Sequence, residues 1–320
     1  MPSTFGRVAI MTALIASPTL AAERVTVTLD WTPNTNFIGL YVADALGLYQ
    51  EAGLDVAILP FEFGQASGDI AAFGVLDFYT AKARGLDAVG VYAVIQTETG
   101  RLAFSGDEIS SPRDLEGKRY GGFGTSWEKA IVDQMIAQDG GEPVYQTGTF
   151  NGSVYDALRA GEIDFTLEVL TWQGVENELA KTDIGSFRYA DYGIPDQHTI
   201  LLAADADFLS ERPDTANAFI AATKAGYAYA VGHPAEAAGI LIAAAPELAD
   251  QRELVERSMQ IMVEGHYLMA EDGTIGRFND QMMIDLGEFL FAAGALVDID
   301  GAPLAAAPDF TRWYSNALLD

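Results

Sequence analysis

Apolar and polar residues alternate over Val25-Thr26-Val27-Thr28-Leu29, a period of two that predicts a strand with one buried face. From Phe37 the period lengthens. Phe37, Leu40, Tyr41, Ala45 and Leu48 recur at the spacing of one helical face, predicting a helix over 37–49. Strand and helix then keep changing places, with strands over 54–59 and 69–74, a helix over 76–84 and a β-branched run over 87–95. A capped, turn-rich segment at 110–117 interrupts this pattern. Afterwards strands over 118–122, 143–147 and 163–167 alternate with helices over 127–138, 153–160 and 172–180. Beyond Asp205 the pattern is helical, over 207–209, 214–232, 234–244, 254–268 and 278–293. Such alternation implies mostly parallel sheets with helices on both faces. No repeat of roughly 20–50 residues is present, and no low-complexity tract.

The restart at 118 and the return to helices after 205 predict two α/β lobes, the second inserted into the first. Residues 23–105 and 203–320 are expected to form lobe 1 and residues 106–202 lobe 2. The connections 96–106 and 192–202 would be the crossing strands, and two lobes with two crossings hinge around a cleft. Residues 1–22 stand apart: Arg7 gives a positive start, Val8 to Ala16 an apolar stretch, and Thr19-Leu20-Ala21-Ala22 a small-residue end. This is the layout of a cleaved secretory signal, too short to span a bilayer. The mature chain is expected to be exported to the periplasm.

Composition narrows the function classes. The 320 residues include no cysteine, which excludes a lipidated cysteine, thiolate metal sites, iron–sulfur clusters and a cysteine nucleophile. The net charge of −28 becomes one more negative once Arg7 leaves with the signal. It repels phosphate backbones and anionic lipid, so nucleic acid is not an expected partner. Apolar residues make up 49%, with a mean hydropathy of +0.12, too apolar for a disordered chain.

Candidate chemistry concentrates in Leu29-Asp30-Trp31-Thr32-Pro33-Asn34-Thr35-Asn36. This segment lies where a strand hands over to a helix, and open α/β sheets collect ligands beyond their strand ends. Trp31 is either a flat surface for a ring or a plug in the core; Asn34 and Asn36 offer amides to a polar edge. The run 120–126 also joins strand to helix, with Gly122 in a glycine-rich turn and Thr125 or Ser126 as cap. Free N–H groups there could hold an anion or a polar edge. It lacks the third glycine of the dinucleotide fingerprint. Ser126-x-x-Lys129 lacks the partner motifs of penicillin-recognising enzymes, so Ser126 reads as a helix cap. Glu168 ends an apolar strand, where it either accepts two N–H donors or stands solvated at a rim. Asp77 is a helix-dipole partner or a ligand acceptor. Gln96 is a ligand contact or a loop amide, and Tyr41, Phe73 and Tyr192 are core or stacking residues. His198, His233 and His266 have no metal-ligand spacing. No metal, cofactor or catalytic residue is expected.

Taken in order, several motifs carry a resemblance. They are 29–36 with Gly39-Leu40-Tyr41-Val42-Ala43, then Gly47-Leu48-Tyr49-Gln50-Glu51-Ala52-Gly53, Ala81-Lys82-Ala83-Arg84-Gly85, Tyr120-Gly121-Gly122-Phe123-Gly124-Thr125, Asp139-Gly140-Gly141 and Asp191-Tyr192-Gly193-Ile194-Pro195-Asp196. Together they resemble the substrate-binding proteins for thiamine pyrimidine precursors, components of ABC importers that share an ancestor with the fungal thiamine-pyrimidine synthase. The resemblance spans most of 25–232. It implies a two-lobed α/β periplasmic binding protein of the type II kind, each lobe a mixed sheet flanked by helices around a hinged cleft. It implies a monomer without enzyme activity that binds an aminopyrimidine, or a similar flat nitrogen heterocycle, and hands it to an inner-membrane ABC permease. The ring would stack on Trp31 with Trp172 or Tyr192 opposite, and Asn34, Asn36 and Glu168 would meet its polar edge. Riboflavin or another aromatic heterocycle, and a synthase-like enzyme, are the alternatives. Three places depart from the family: Phe37 stands where it commonly has His, Gln173 where it often has Glu, and 72–78 carries neither the Lys nor the His of the fungal enzyme.

Overall fold

Ten strands form two five-stranded sheets in a computed structural model that describes residues 22–61, 68–150 and 153–320. Apart from Ala22, the expected signal segment lies outside these residues. In chain order the first sheet takes β1 (Glu23–Thr28), β2 (Leu54–Leu59), β3 (Ile70–Gly74) and β4 (Ala88–Ala93). The second takes β5 (Gly100–Ser105), β6 (Arg119–Gly122), β7 (Gln146–Thr149), β8 (Phe165–Val169) and β9 (Ile184–Arg188), and β10 (Ile200–Asp205) returns to the first. The spatial orders are β2-β1-β3-β10-β4 and β7-β6-β8-β5-β9. In each sheet the fourth strand runs antiparallel to both neighbours. It is the strand the chain makes on arriving from the other sheet. Both sheets are therefore mixed, and the molecule has two lobes.

The helices are α1 (Ile38–Ala45), α2 (Leu48–Glu51), α3 (Val75–Ala83), α4 (Ser126–Gln138), α5 (Val154–Arg159), α6 (Val175–Ala180), α7 (Ala206–Glu211), α8 (Pro213–Gly232), α9 (Pro234–Ala244), α10 (Arg252–Glu264) and α11 (Asp280–Ala292). The helix expected over 37–49 is broken by Gly47, whose φ of +73° is left-handed and suits glycine. The one expected over 172–180 opens with a π-helical turn, Leu170–Gly174. Val25 and Val27 turn into a core shared with α1, α8 and α10, while Phe73, Phe78 and Tyr79 meet α11 on the other face. No helix among the described residues is long and apolar enough to cross a membrane.

The expected lobe boundaries at 105/106 and 202/203 cut β5 and β10 away from the sheets they join. Sheet membership moves the crossings to 94–99 and 189–199. Both strands bury consecutive residues on both faces, Arg101 of β5 among them, so no alternation marks which sheet they join. The two crossings are tied to each other. Thr99 N–H donates to Thr199 Oγ1 at 2.9 Å, and Glu98 N–H and Thr97 Oγ1 donate to Asp196 at 2.9 and 2.8 Å. Gln96 is buried in this knot, its Nε2 donating to Ala93 O at 2.7 Å and its backbone N–H to Tyr267 O at 2.7 Å.

Candidate functional site

Between the two sheets lies a cavity of about 650 Å³. Its first wall is the connection after β1. Asn34 accepts the Asn36 N–H at 2.8 Å and donates to Thr32 O at 2.9 Å, an Asx turn that consumes the amide and starts a short 3₁₀ turn. Neighbouring elements hold this connection down: Tyr227 Oη donates to Asn36 O at 2.7 Å, and Thr35 Oγ1 lies 2.5 Å from Ser258 Oγ. So braced, Trp31 stands half-buried at the cavity, 5.6 Å from the Phe61 ring and edge-on to Phe123 at 6.0 Å. Its indole is a wall of the cavity, not a plug in the core.

Of the residues singled out in the sequence, Trp31, Asn34, Asn36, Phe73, Asp77, Thr125, Glu168 and Trp172 line this cavity. Tyr41, Gln96, Gly122 and Tyr192 do not. Tyr41 packs on the core beneath α1, Gln96 staples the crossing, and Tyr192 lies edge-on to Phe187 at 5.9 Å. One turn earlier, Tyr189 lines the cavity in its place. Gly122 serves a neighbour. A Cβ there would fall 2.4 Å from Glu128 Oε1 and 2.6 Å from Tyr120 Oη, so the glycine makes room for the Glu128–Tyr120 hydrogen bond of 2.8 Å. Two of the N–H groups expected in the turn before α4 are also taken. The buried Glu128 carboxylate accepts from Phe123 N at 2.9 Å and Thr125 N at 2.8 Å. Those two donors are spent within the chain.

The polar lining is acidic. Burial pushes the Asp30 carboxyl up to about 7, and the nearby Asp77 adds to that shift. Asp77 opens onto the cavity; the protein packed around it raises its carboxyl to about 6, against the pull of the Trp127 Nε1–H, which donates to its Oδ1 at 2.7 Å. Burial likewise lifts Glu98 to about 7 against Arg101, and Glu168 to about 7 against Arg159. Glu168 Oε2 accepts one hydrogen bond, from Asn177 Nδ2 at 2.9 Å. Sequence reasoning left Asp30, Glu98, Trp127, Tyr155, Tyr189 and Gln197 out of the site, and all six line it. Asp30 carried a signal, since it directly follows β1, the strand-end position that marked Trp31. Glu98 and Gln197 carried none, because they sit in the crossings. Among the described residues lining the cavity there is no Lys, Arg or His, and no group of three His, Asp or Glu among the described residues could hold a metal ion.

Comparison with known proteins agrees with this architecture. The pattern of the NMT1/THI5-like family matches residues 34–237. The chain is 28% identical over 275 residues to the formylaminopyrimidine-binding protein of Halalkalibacterium halodurans, covering 78% of this chain and 79% of that one. It is 27% identical over 249 residues to the 4-amino-5-hydroxymethyl-2-methylpyrimidine phosphate synthase of Legionella pneumophila, covering 71% and 75%. In structure it is similar to the periplasmic aliphatic sulphonate binding protein SsuA of Escherichia coli, with a TM-score of 0.66 at 14% identity over 92% of each chain. The match covers more than half of the sequence, including the Trp31 connection from Asn34 onward, and the chain belongs to the NMT1/THI5-like family.

Proposed function

We propose that the protein is the solute-binding component of an ABC importer, closing two lobes on an aminopyrimidine or a similar flat nitrogen heterocycle. The observation that carries this reading is the cavity between the sheets, walled by Trp31, Trp127 and Trp172 and edged by carboxyl and amide oxygens. Stacking on an indole suits a flat ring, and a polar edge of acceptors suits its N–H donors. Because Asn34 is spent on its own turn, the edge contacts fall to Asn36, Glu168 and Asp30. The lobes divide at the crossings 94–99 and 189–199, and residues 1–22 are removed on export to the periplasm. A relative named for formylaminopyrimidine supports the ligand class.

Relatives named as synthases support a second reading, an enzyme of pyrimidine synthesis. That chemistry calls for a nucleophilic lysine or a histidine base in the cavity. The described lining has neither, and the sequence at 62–67 and 151–152 adds neither. The binding reading is therefore preferred. Calorimetry with formylaminopyrimidine and with 4-amino-5-hydroxymethyl-2-methylpyrimidine tests it. One-to-one binding with a Kd of about 1 μM or tighter is expected. No heat with either compound would overturn the ligand class. Turnover of either compound would restore the enzyme.

A further inference from the structure

Charges around the cavity do not balance. Asp30, Asp77, Glu98 and Glu168 line it, and no Lys, Arg or His does so among the described residues. Behind the lining, the buried Arg101 places Nη1 3.3 Å from Glu98 Oε1 and stands opposite Glu168 in the β5–β8 register. Arg159 also faces Glu168, but it is already engaged by Asp156 and Glu176. At the Asp30–Asp77 end no Lys, Arg or His lines the cavity among the described residues. The donors there are N–H groups: the backbone of Asp30 and Gly74 for one carboxyl, the Trp127 indole for the other. Asp77 opens onto the cavity and Asp30 is half-buried behind it, and like charges so placed repel unless a counter-charge joins them. Protons, or a ligand cation, must offset that repulsion.

The hydrogen-bond inventory has the same sign. Asp30 Oδ1, Asn36 Oδ1 and Gln197 Oε1 are buried acceptors without a hydrogen-bond partner among the described residues, and all three residues line the cavity. Asn36 is 6% exposed and Gln197 3%, so water does not serve them freely. Each orphaned acceptor needs a donor, and leaving it unpaired costs about 1–3 kcal/mol. In the turn before α4 the Glu128 carboxylate takes the Phe123 and Thr125 N–H groups and sets a negative charge beside the cavity.

We propose that the cavity selects flat nitrogen heterocycles that carry a positive charge and several N–H donors, and turns away their phosphorylated forms. This rests on the reading of the cavity as the solute site. Protons and the ligand cation compete for the same oxygens, so affinity should rise with pH between about 5 and 8. The groups facing these acids are Asp77 for Asp30 and Glu128 for Asp77. Glu98 is faced by Arg101, Arg188 and Asp196, and Glu168 by Arg101, Arg159 and Glu176.

The test uses three pyrimidines that differ only in the arm at C5: aminomethyl (a cation), hydroxymethyl (neutral) and the phosphate ester of the latter (an anion). Calorimetry should rank the amine about tenfold or more above the alcohol, with no measurable binding of the phosphate and a preference that widens toward pH 8. Asp30→Asn should shrink the amine-to-alcohol ratio. If that variant fails to fold, Glu168→Gln gives the same readout. A second series, 1-methylnicotinamide (a pyridinium cation), nicotinamide and nicotinate, separates charge from ring type. A phosphate that binds as tightly as the amine overturns the charge proposal and leaves the pyrimidine reading intact. If no pyrimidine binds but the pyridinium ranks first in its series, the ring type is wrong and the charge proposal stands. Binding in neither series overturns both.

Discussion

Trp31 and Asn34 are three residues apart and do different work. The indole is half-buried against Phe61 and Phe123 and faces the cavity, whereas the Asn34 amide is closed on its own turn. Removing the ring should therefore cost binding, and removing the amide should cost stability. Trp31→Ala is expected to weaken ligand affinity about tenfold, since stacking alone is worth about 0.5–1.5 kcal/mol beyond the area it buries, with little change in the melting temperature of ligand-free protein. Asn34→Ala is expected to lower folding stability by about 1 kcal/mol, the usual cost of losing a cap. Parallel calorimetry and thermal melts check both, and a collapse of Trp31→Ala on heating would show the ring to be core. The sequence made this site half legible, for a physical reason. Trp31, Asp77, Thr125 and Glu168 could be found because strand ends and helix starts are readable from periodicity. Tyr41 and Tyr192 went astray because position along a chain does not say on which side of its element a side chain leaves. Gly122 was misread because the demand it answers comes from Glu128, not from a ligand.

Among the elements, α1 and α8 approach closely, and two glycines permit it. A Cβ at Gly226 would lie 2.2 Å from Gly39 O, and one at Gly39 would lie 2.2 Å from the Tyr227 ring. Backbone cannot give way as a flexible side chain can, so Gly226→Ala must push α8 off α1. A loss of about 1–3 kcal/mol is expected, read as a lower urea midpoint at unchanged slope. Because Tyr227 Oη holds Asn36 O, the same variant should also weaken ligand binding; a stability loss with affinity intact would show that the Asn36 anchor does not depend on helix seating. Much of the fold could be read at this scale from strict alternation, as in β1, and from helical spacing, as in α8. What could not be read were the sheets that the crossing strands β5 and β10 join, and β9, a short Ile-Gly-Ser-Phe-Arg strand whose glycine weakens its signal. Those three strands decide where the chain changes lobes.

Across the whole molecule, contacts on both sides of the cavity hold the lobes together. Trp127 on α4 reaches Asp77 on α3, and Ser126 Oγ donates to Ala295 O at 2.6 Å; on the other side Arg257 on α10 pairs with Glu178 on α6 at 2.9 Å. A ligand drives closure only by contacts it makes in the closed state. Small-angle scattering should show the radius of gyration falling as the ligand saturates, and an unchanged profile with binding confirmed would mean a rigid pocket. The four cavity acids also set how stability depends on pH. Folded, Asp30, Glu98 and Glu168 titrate near 7 and Asp77 near 6, against ordinary values of 3.8 for the aspartates and 4.5 for the glutamates. Between about pH 4 and 7 the folded chain therefore binds more protons than the unfolded one, and unfolding becomes easier as pH rises through that window. The stability tied to these groups is fully present below about pH 4 and lost as pH passes about 7. Solvent in the cavity screens Asp77, so its share is the smallest. His198 works the other way, because burial lowers its pKa and favours the neutral ring, but it is one group against four. Asp114 and Asp164 are held below the usual carboxylate range, so their contribution does not change above about pH 5. Ligand-free protein should thus melt at a lower temperature at pH 8 than at pH 5.5, and Asp30→Asn should flatten that slope by removing one of the Asp30–Asp77 charges. A melting temperature that climbs steadily from pH 5.5 to 8 would mean the acids are already balanced by cations, and the cavity would not be short of positive charge.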